Sequence, residues 1–175
     1  GPKESSAQEG SKKMKLIDAI ASEFEHEAQT TRRHLERLPD GKLDWRPHEK
    51  SFTARGLSSH IVECIGWTAS IFGIDELDFD PATYKPYLAS TVSDLLKAFD
   101  EKVADGTRAL AAASDKDLVL PWRLKMKGRV RFEKPKVAVF RDFTLSHVIH
   151  HRGQLSVYLR LLDVPVPGSY GPTAD

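Results

Sequence analysis

From Lys15 onward, apolar residues recur every three or four positions through Leu16, Ile17, Ile20, Phe24, Ala28, Leu35 and Leu38, while Glu23, Glu27, Arg32, Arg33 and Glu36 take the other face. This spacing predicts an amphipathic helix. Pro39-Asp40-Gly41 closes it with a breaker and turn formers. Residues 39–52 read as a connection anchored by Trp45-Arg46-Pro47, with Ser51 or Thr53 placed to cap a second helix. The inner stripe of that helix runs Leu57, His60, Ile61, Cys64, Trp67 and Ile71, so His60 falls on its buried face. Gly73 to Ala89, with two prolines, reads as a loop. Thr91-Val-Ser-Asp94 resembles a capping box. It opens a third helix through Leu95, Leu96, Phe99, Val103, Leu110 and Ala111 that ends near Ser114.

The period changes over residues 118–132. Trp122, Leu124 and Met126 alternate with Arg123, Lys125 and Lys127, and Val130 and Phe132 alternate with Arg129 and Arg131. Alternation broken at Lys127-Gly128 predicts a short basic hairpin. Helical spacing returns from about Lys136 to Leu162 through Phe140, Thr144, His147, His151, Leu155, Tyr158 and Leu162. Asp163 to Asp175, rich in Pro and Gly, reads as an extended tail. The expected fold is all-α: a four-helix bundle with long second and third connections, plus a short basic β-hairpin before the last helix. Gly1-Pro2 looks like a protease-cleavage scar, and the polar residues 1–13 read as a tag remnant or disordered leader. Met14 is then the native start, and residues 14–175 form one domain without internal repeats.

Charge narrows the function classes. The 175 residues hold 26 Lys and Arg against 25 Asp and Glu, a net charge of +1, which calls for neither nucleic acid nor an anionic membrane. No apolar run approaches the roughly 18–20 residues of a membrane span. The lone Cys64 excludes an intrachain disulfide and suits a reducing compartment, so a cytoplasmic location is expected. The strip Arg123, Lys125, Lys127, Arg129, Arg131, Lys134, Lys136 would form a charged face on the hairpin. It lacks interleaved exposed aromatics for base stacking, and no DNA-reading motif accompanies it. A solvated strand face that blocks edge pairing is the favoured reading, and a nucleic-acid partner is not expected.

The candidate chemistry lies in histidines. His147 and His151 are four residues apart and project from one helix face; His60 lies on the inner stripe of another helix. A single histidine on an apolar face is usually a satisfied core residue. Three on inner stripes are harder to satisfy, because each buried imidazole needs both a donor and an acceptor partner. A shared metal ion is one solution, separate hydrogen-bond partners the other, and the residues alone leave both open. His150 points about 100° away from His151 and reads as a flanking residue. His26, His34 and His48 sit among charged or loop residues and read as solvated. Glu23-Phe-Glu-His26 has the Glu-x-x-His spacing of di-iron bundles, but no second copy occurs. Glu63, Gln154 and Tyr158 are candidate supports for the imidazoles, although Glu63 lies off the inner stripe. Arg152 reads as a surface or helix-pairing cation. Gly153 reads as a point of close helix packing, and the tryptophans as core or lid anchors.

Several of these residues resemble a known family. Leu57-Ser-Ser-His60-Ile-Val-Glu63, the preceding Trp45-Arg46-Pro47, the run His147-x-x-x-His151-Arg152-Gly153-Gln154 and the tail Leu162-Asp-Val-Pro165-Val-Pro167-Gly168-Ser-Tyr170-Gly171-Pro172 are similar to the signatures of DinB-like proteins. The resemblance covers residues 14–175, with the hairpin as a variable part. It implies a four-helix bundle holding one divalent metal ion (zinc, nickel or iron) on His60, His147 and His151. It also implies an enzyme: a transferase or isomerase using a low-molecular-weight thiol such as bacillithiol or mycothiol. A metal-dependent hydrolase on the same site, and a non-catalytic metal- or nucleic-acid-binding stress-response protein, are the competing readings. The expected partners are a small-molecule substrate and a second copy of the chain as a homodimer.

Overall fold

A computed structural model describes residues 13–175; of the expected leader, residues 1–12 lie outside the described residues. The chain is mainly helical with a small three-stranded sheet. Helix α1 spans Leu16–Leu35, shorter at its C-terminal end than its apolar period suggested, and Leu38 still packs into the core from the following turn. A 3-10 turn over Asp40–Lys42 leads towards α2, Ala54–Gly73, whose first turn is capped by Thr53: its hydroxyl accepts from the Gly56 N–H at 3.0 Å. Helix α3, Val92–Ala112, is capped in the same way by Thr91, which accepts from the Asp94 N–H. A one-turn helix α4, Asp115–Leu118, follows behind a Ser114–Asp117 capping box. The long helices pack in a ring: α1 lies against α3, and α2 touches α3. The last helical stretch closes it, touching both α1 and α2.

The hairpin forms as expected from β2, Pro121–Met126, and β3, Arg129–Pro135, paired antiparallel across a turn at Lys127-Gly128. Lys127 and Gly128 take positive φ, the left-handed geometry such a turn requires. The 73–89 segment departs from expectation. It contains strand β1, Glu76–Phe79, which pairs parallel to β2 with Leu77 opposite Leu124. Its four residues alternate polar and apolar, but the run is short, half acidic and set in a proline-containing segment that reads as a loop; β2 supplies the partner. This strand also changes the basic strip. Glu76 pairs with Lys125 and lies near Arg123, Glu133 binds Arg123, and Asp80 lies near Lys127. Asp142 and Asp75 take Lys134 and Lys136.

The last helical stretch has three parts: α5, Lys136–Val139; a π-helical segment, Phe140–Leu145; and α6, Ser146–Leu161. The π segment ends two residues before His147. π-Helical turns insert a residue into the ladder and re-aim the side chains that follow.

Three readings of individual residues are corrected and one is decided. Arg152 is 2% exposed and joins α6 to α1 by binding Glu27 and Thr31, so of the two readings, surface or helix-pairing cation, the second holds. Glu27, assigned by its period to the outer face, is buried with it. His34 is buried too, 2.9 Å from the Thr30 carbonyl one turn earlier. Gly153 is exposed with open space where a Cβ would sit, so close packing does not explain it.

Candidate metal centre

Helices α2 and α6 pack against each other, and their facing stripes bring His60, His147 and His151 together. Ring centroids lie 5.0 Å apart for His60 and His147, 4.8 Å for His60 and His151, and 4.7 Å for His147 and His151. His151 is buried, the other two half-buried. Cys64, one turn after His60, joins them: one donor atom from each of the four residues falls within 4.8 Å of every other. The sequence placed Cys64 on the same stripe but offered no reason to group it with the imidazoles; the i, i+4 spacing from His60 was the available signal. His150 lies outside the cluster, exposed, with its ring against that of His151.

Two of the imidazoles are held at a second point. His60 Nδ1 lies 3.2 Å from Glu63 Oε2, and His151 Nδ1 lies 2.8 Å from Gln154 Oε1. Glu63 thus serves His60 despite lying off the stripe, because three residues along a helix still leaves the side chains adjacent. Gln154 supports His151, three residues before it. Tyr158 takes another role: its hydroxyl donates to the Phe52 carbonyl and its ring packs edge-on against Trp45. Phe52 in turn stacks on His60 at 5.9 Å.

These tethers decide what the imidazoles present to one another. A carboxylate and an amide oxygen are acceptors, so the rings of His60 and His151 donate outward through Nδ1 and their inner nitrogens carry lone pairs. His60 Nε2 and His147 Nε2 face each other at 3.3 Å. His147 can donate an N–H to that lone pair, and a cation between the two nitrogens would instead take a lone pair from each. For a tetrahedral ion with metal–nitrogen bonds of about 2.0–2.1 Å, two ligand nitrogens stand roughly 3.3 Å apart. The donor set therefore fits a divalent metal. Burial, followed by the neighbouring His60, pulls the His147 imidazole below its ordinary pKa. Burial does the same to His151, against the hydrogen bond to Gln154. Both shifts keep the rings neutral, the form that ligates. Burial, with Glu63 adding to it, pushes the Cys64 thiol up to about 12.

Glu63 also anchors the segment that overhangs the site. Its Oε1 accepts from the Tyr84 hydroxyl and from the Tyr87 N–H, while Ser59 accepts from the Ala89 N–H. Phe52, Tyr84, Tyr87 and Leu88, with His60 and Glu63 at the floor, bound a largely apolar cavity of about 340 Å³. On the other side, Phe143, Ser146, His147 and His150 line an open cleft of about 410 Å³. No described helix is long and apolar enough to cross a membrane.

The sequence model of the DinB family matches residues 11–175. The chain is similar to the uncharacterized protein YrdA of Bacillus subtilis (strain 168): 26% identity over 166 residues, covering 93% of this chain and 92% of that one. Among solved structures it is similar to a DinB-like protein from Bacillus cereus ATCC 10987, with TM-score 0.71 and 22% identity, covering 88% of this chain and 97% of the other. It is also similar to the DinB-like protein YjoA of Bacillus subtilis, with TM-score 0.70 and 21% identity, covering 86% and 97%.

Proposed function

Since the chain belongs to the DinB family, we propose that its four long helices form the four-helix bundle of a divalent-metal-dependent enzyme, a thiol-dependent S-transferase whose ion is held by His60, His147 and His151. The observation that carries this reading is the gathering of His60, His147 and His151 with donor atoms within 4.8 Å of one another, the His60 and His147 Nε2 atoms at 3.3 Å, and the rings of His60 and His151 tethered through their other side. A bound divalent ion would supply Lewis acidity and lower the pKa of a thiol or water that reaches it.

The chain's own residues prepare the site for that. Glu63 and Gln154 fix the ring orientations of His60 and His151, as the outer partners of metal-binding histidines do. Phe52, Tyr84, Tyr87 and Leu88 line the cavity beside His60 and offer it to the apolar part of a small substrate. The thiol and the electrophile both have to be small, because the cavity of about 340 Å³ lies at the low end of ligand pockets.

Elemental analysis of protein purified without added metal tests the reading: one zinc, nickel or iron per chain is expected, and none in His147→Ala. Full occupancy in His147→Ala at neutral pH overturns the ligand assignment. Turnover separates the chemistries. Consumption of a model electrophile only when a low-molecular-weight thiol is added marks the transferase, whereas thiol-independent cleavage of a model ester marks a hydrolase instead.

A further inference from the structure

We propose that Cys64 is a fourth ligand, so that this protein's metal is bound by three imidazoles and a thiolate. The inference rests on the reading that the three histidines hold a divalent ion, and goes beyond it in closing the position that a three-histidine count leaves open.

Three features of the site carry it. First, the donors come as two matched pairs. His60 and Cys64 stand four residues apart on α2, His147 and His151 four apart on α6, and the two helices face each other. Each helix thereby supplies two donors one turn apart. Second, the distances suit a mixed site. With metal–nitrogen bonds of about 2.0–2.1 Å and a metal–sulfur bond of about 2.3 Å, tetrahedral nitrogen and sulfur ligands stand roughly 3.5 Å apart; Cys64 Sγ lies 3.6 Å from His60 Nε2. Third, the thiol is 0% exposed, lies against His60 Nε2 and has the donor atoms of His147 and His151 within 4.8 Å. A cysteine serving only as a small core hydrophobe would be expected among apolar atoms.

On ligation the thiol proton passes to solvent and a sulfur–metal bond forms; no oxidant or reductant is needed. A metal held by four protein ligands is a closed site. An incoming small-molecule ligand then has to displace Cys64 or raise the coordination number to five.

Cobalt(II) is the probe, loaded into the whole metal-stripped protein in a thiol-free buffer. Cys64 is the chain's one cysteine, so a sulfur-to-cobalt charge-transfer band in the near ultraviolet identifies it. The expected result is one cobalt per chain with that band, and loss of the band in Cys64→Ser. One cobalt per chain without the band in the wild-type protein overturns the proposal while leaving the three-histidine site standing. No cobalt bound at all removes both. The wild-type spectrum carries this decision even where the variant folds poorly.

Discussion

Gln154 shows how much of the proposed metal site depends on residues beside the imidazoles. It is exposed, yet its amide oxygen at 2.8 Å holds His151 Nδ1. Removing that acceptor leaves His151 free to rotate or to change tautomer, while the fold loses nothing it packs against. Gln154→Ala is therefore expected to weaken metal affinity by roughly 10–100-fold with an unchanged unfolding midpoint for the metal-free protein. Competition against a chromophoric chelator measures the first quantity and urea denaturation the second. Unaltered affinity would show the contact to be incidental. At this scale the sequence was most legible where side chains follow helical spacing: the stripes placed His60, His147 and His151 on inward faces, and the structure brings the three together. Glu63 and Cys64 were underrated for a common reason. Helical spacing makes both neighbours of His60, but the nearness of Cys64 to His147 and His151 and the hold of Glu63 on the Tyr84–Tyr87 segment depend on other elements, on which a periodicity confined to one helix is silent.

Between elements, the Arg152–Glu27 pair dominates. Arg152 follows His151 directly, and its guanidinium crosses from α6 to Glu27 and Thr31 on α1 and to the Tyr170 hydroxyl of the tail. Tyr170 also donates to Glu27, closing the network. Buried charges of this kind contribute little net stability as a pair, but removing one partner strands the other. Arg152→Ala should cost roughly 3–5 kcal/mol, and Arg152→Met combined with Glu27→Leu should restore most of it; urea unfolding of the single and double variants measures both. A small cost for the single variant would show that water already reaches Glu27. Helix contacts are equally tight at Gly106, where an added Cβ would stand 2.7 Å from Phe24 Cζ. Gly106→Ala should therefore destabilise by about 1–3 kcal/mol through overpacking. The four long helices and the hairpin were legible because each carries its own period. Strand β1 was not, because Glu76–Phe79 exists as a strand only through its pairing with β2. The π segment before His147 was hidden for a related reason, since the apolar stripe through Phe140, Thr144 and His147 reads equally well as ordinary helix.

Over the whole molecule, charge and burial set the response to salt and to pH. Glu76, Asp80, Glu133, Asp142 and Asp75 lie against most of the basic strip, so the hairpin offers little uncompensated charge to a phosphate backbone. The pH response follows from the histidines. His34 is 1% exposed, and burial lowers its pKa from the ordinary 6.5, against the Thr30 hydrogen bond and with Arg152 and Arg33 adding to the effect. In the unfolded chain His34 takes up a proton near 6.5; in the folded chain it does so only at lower pH. Between those two values the unfolded state holds more protons, so stability rises with pH across that window and is level above it. Conversely, stability is lost as pH falls below 6.5 towards the native value. His147 and His151 shift in the same direction, with burial again the largest cause, and add to the slope in the metal-free protein. Urea midpoints of metal-free protein from about pH 8 to about pH 5 should be level at first and then fall. His34→Gln, which cannot take up the proton, should flatten part of that fall and leave the share due to the two site histidines. Equal slopes in the variant and the wild type would place the whole effect at the metal centre rather than in the helix packing around α1.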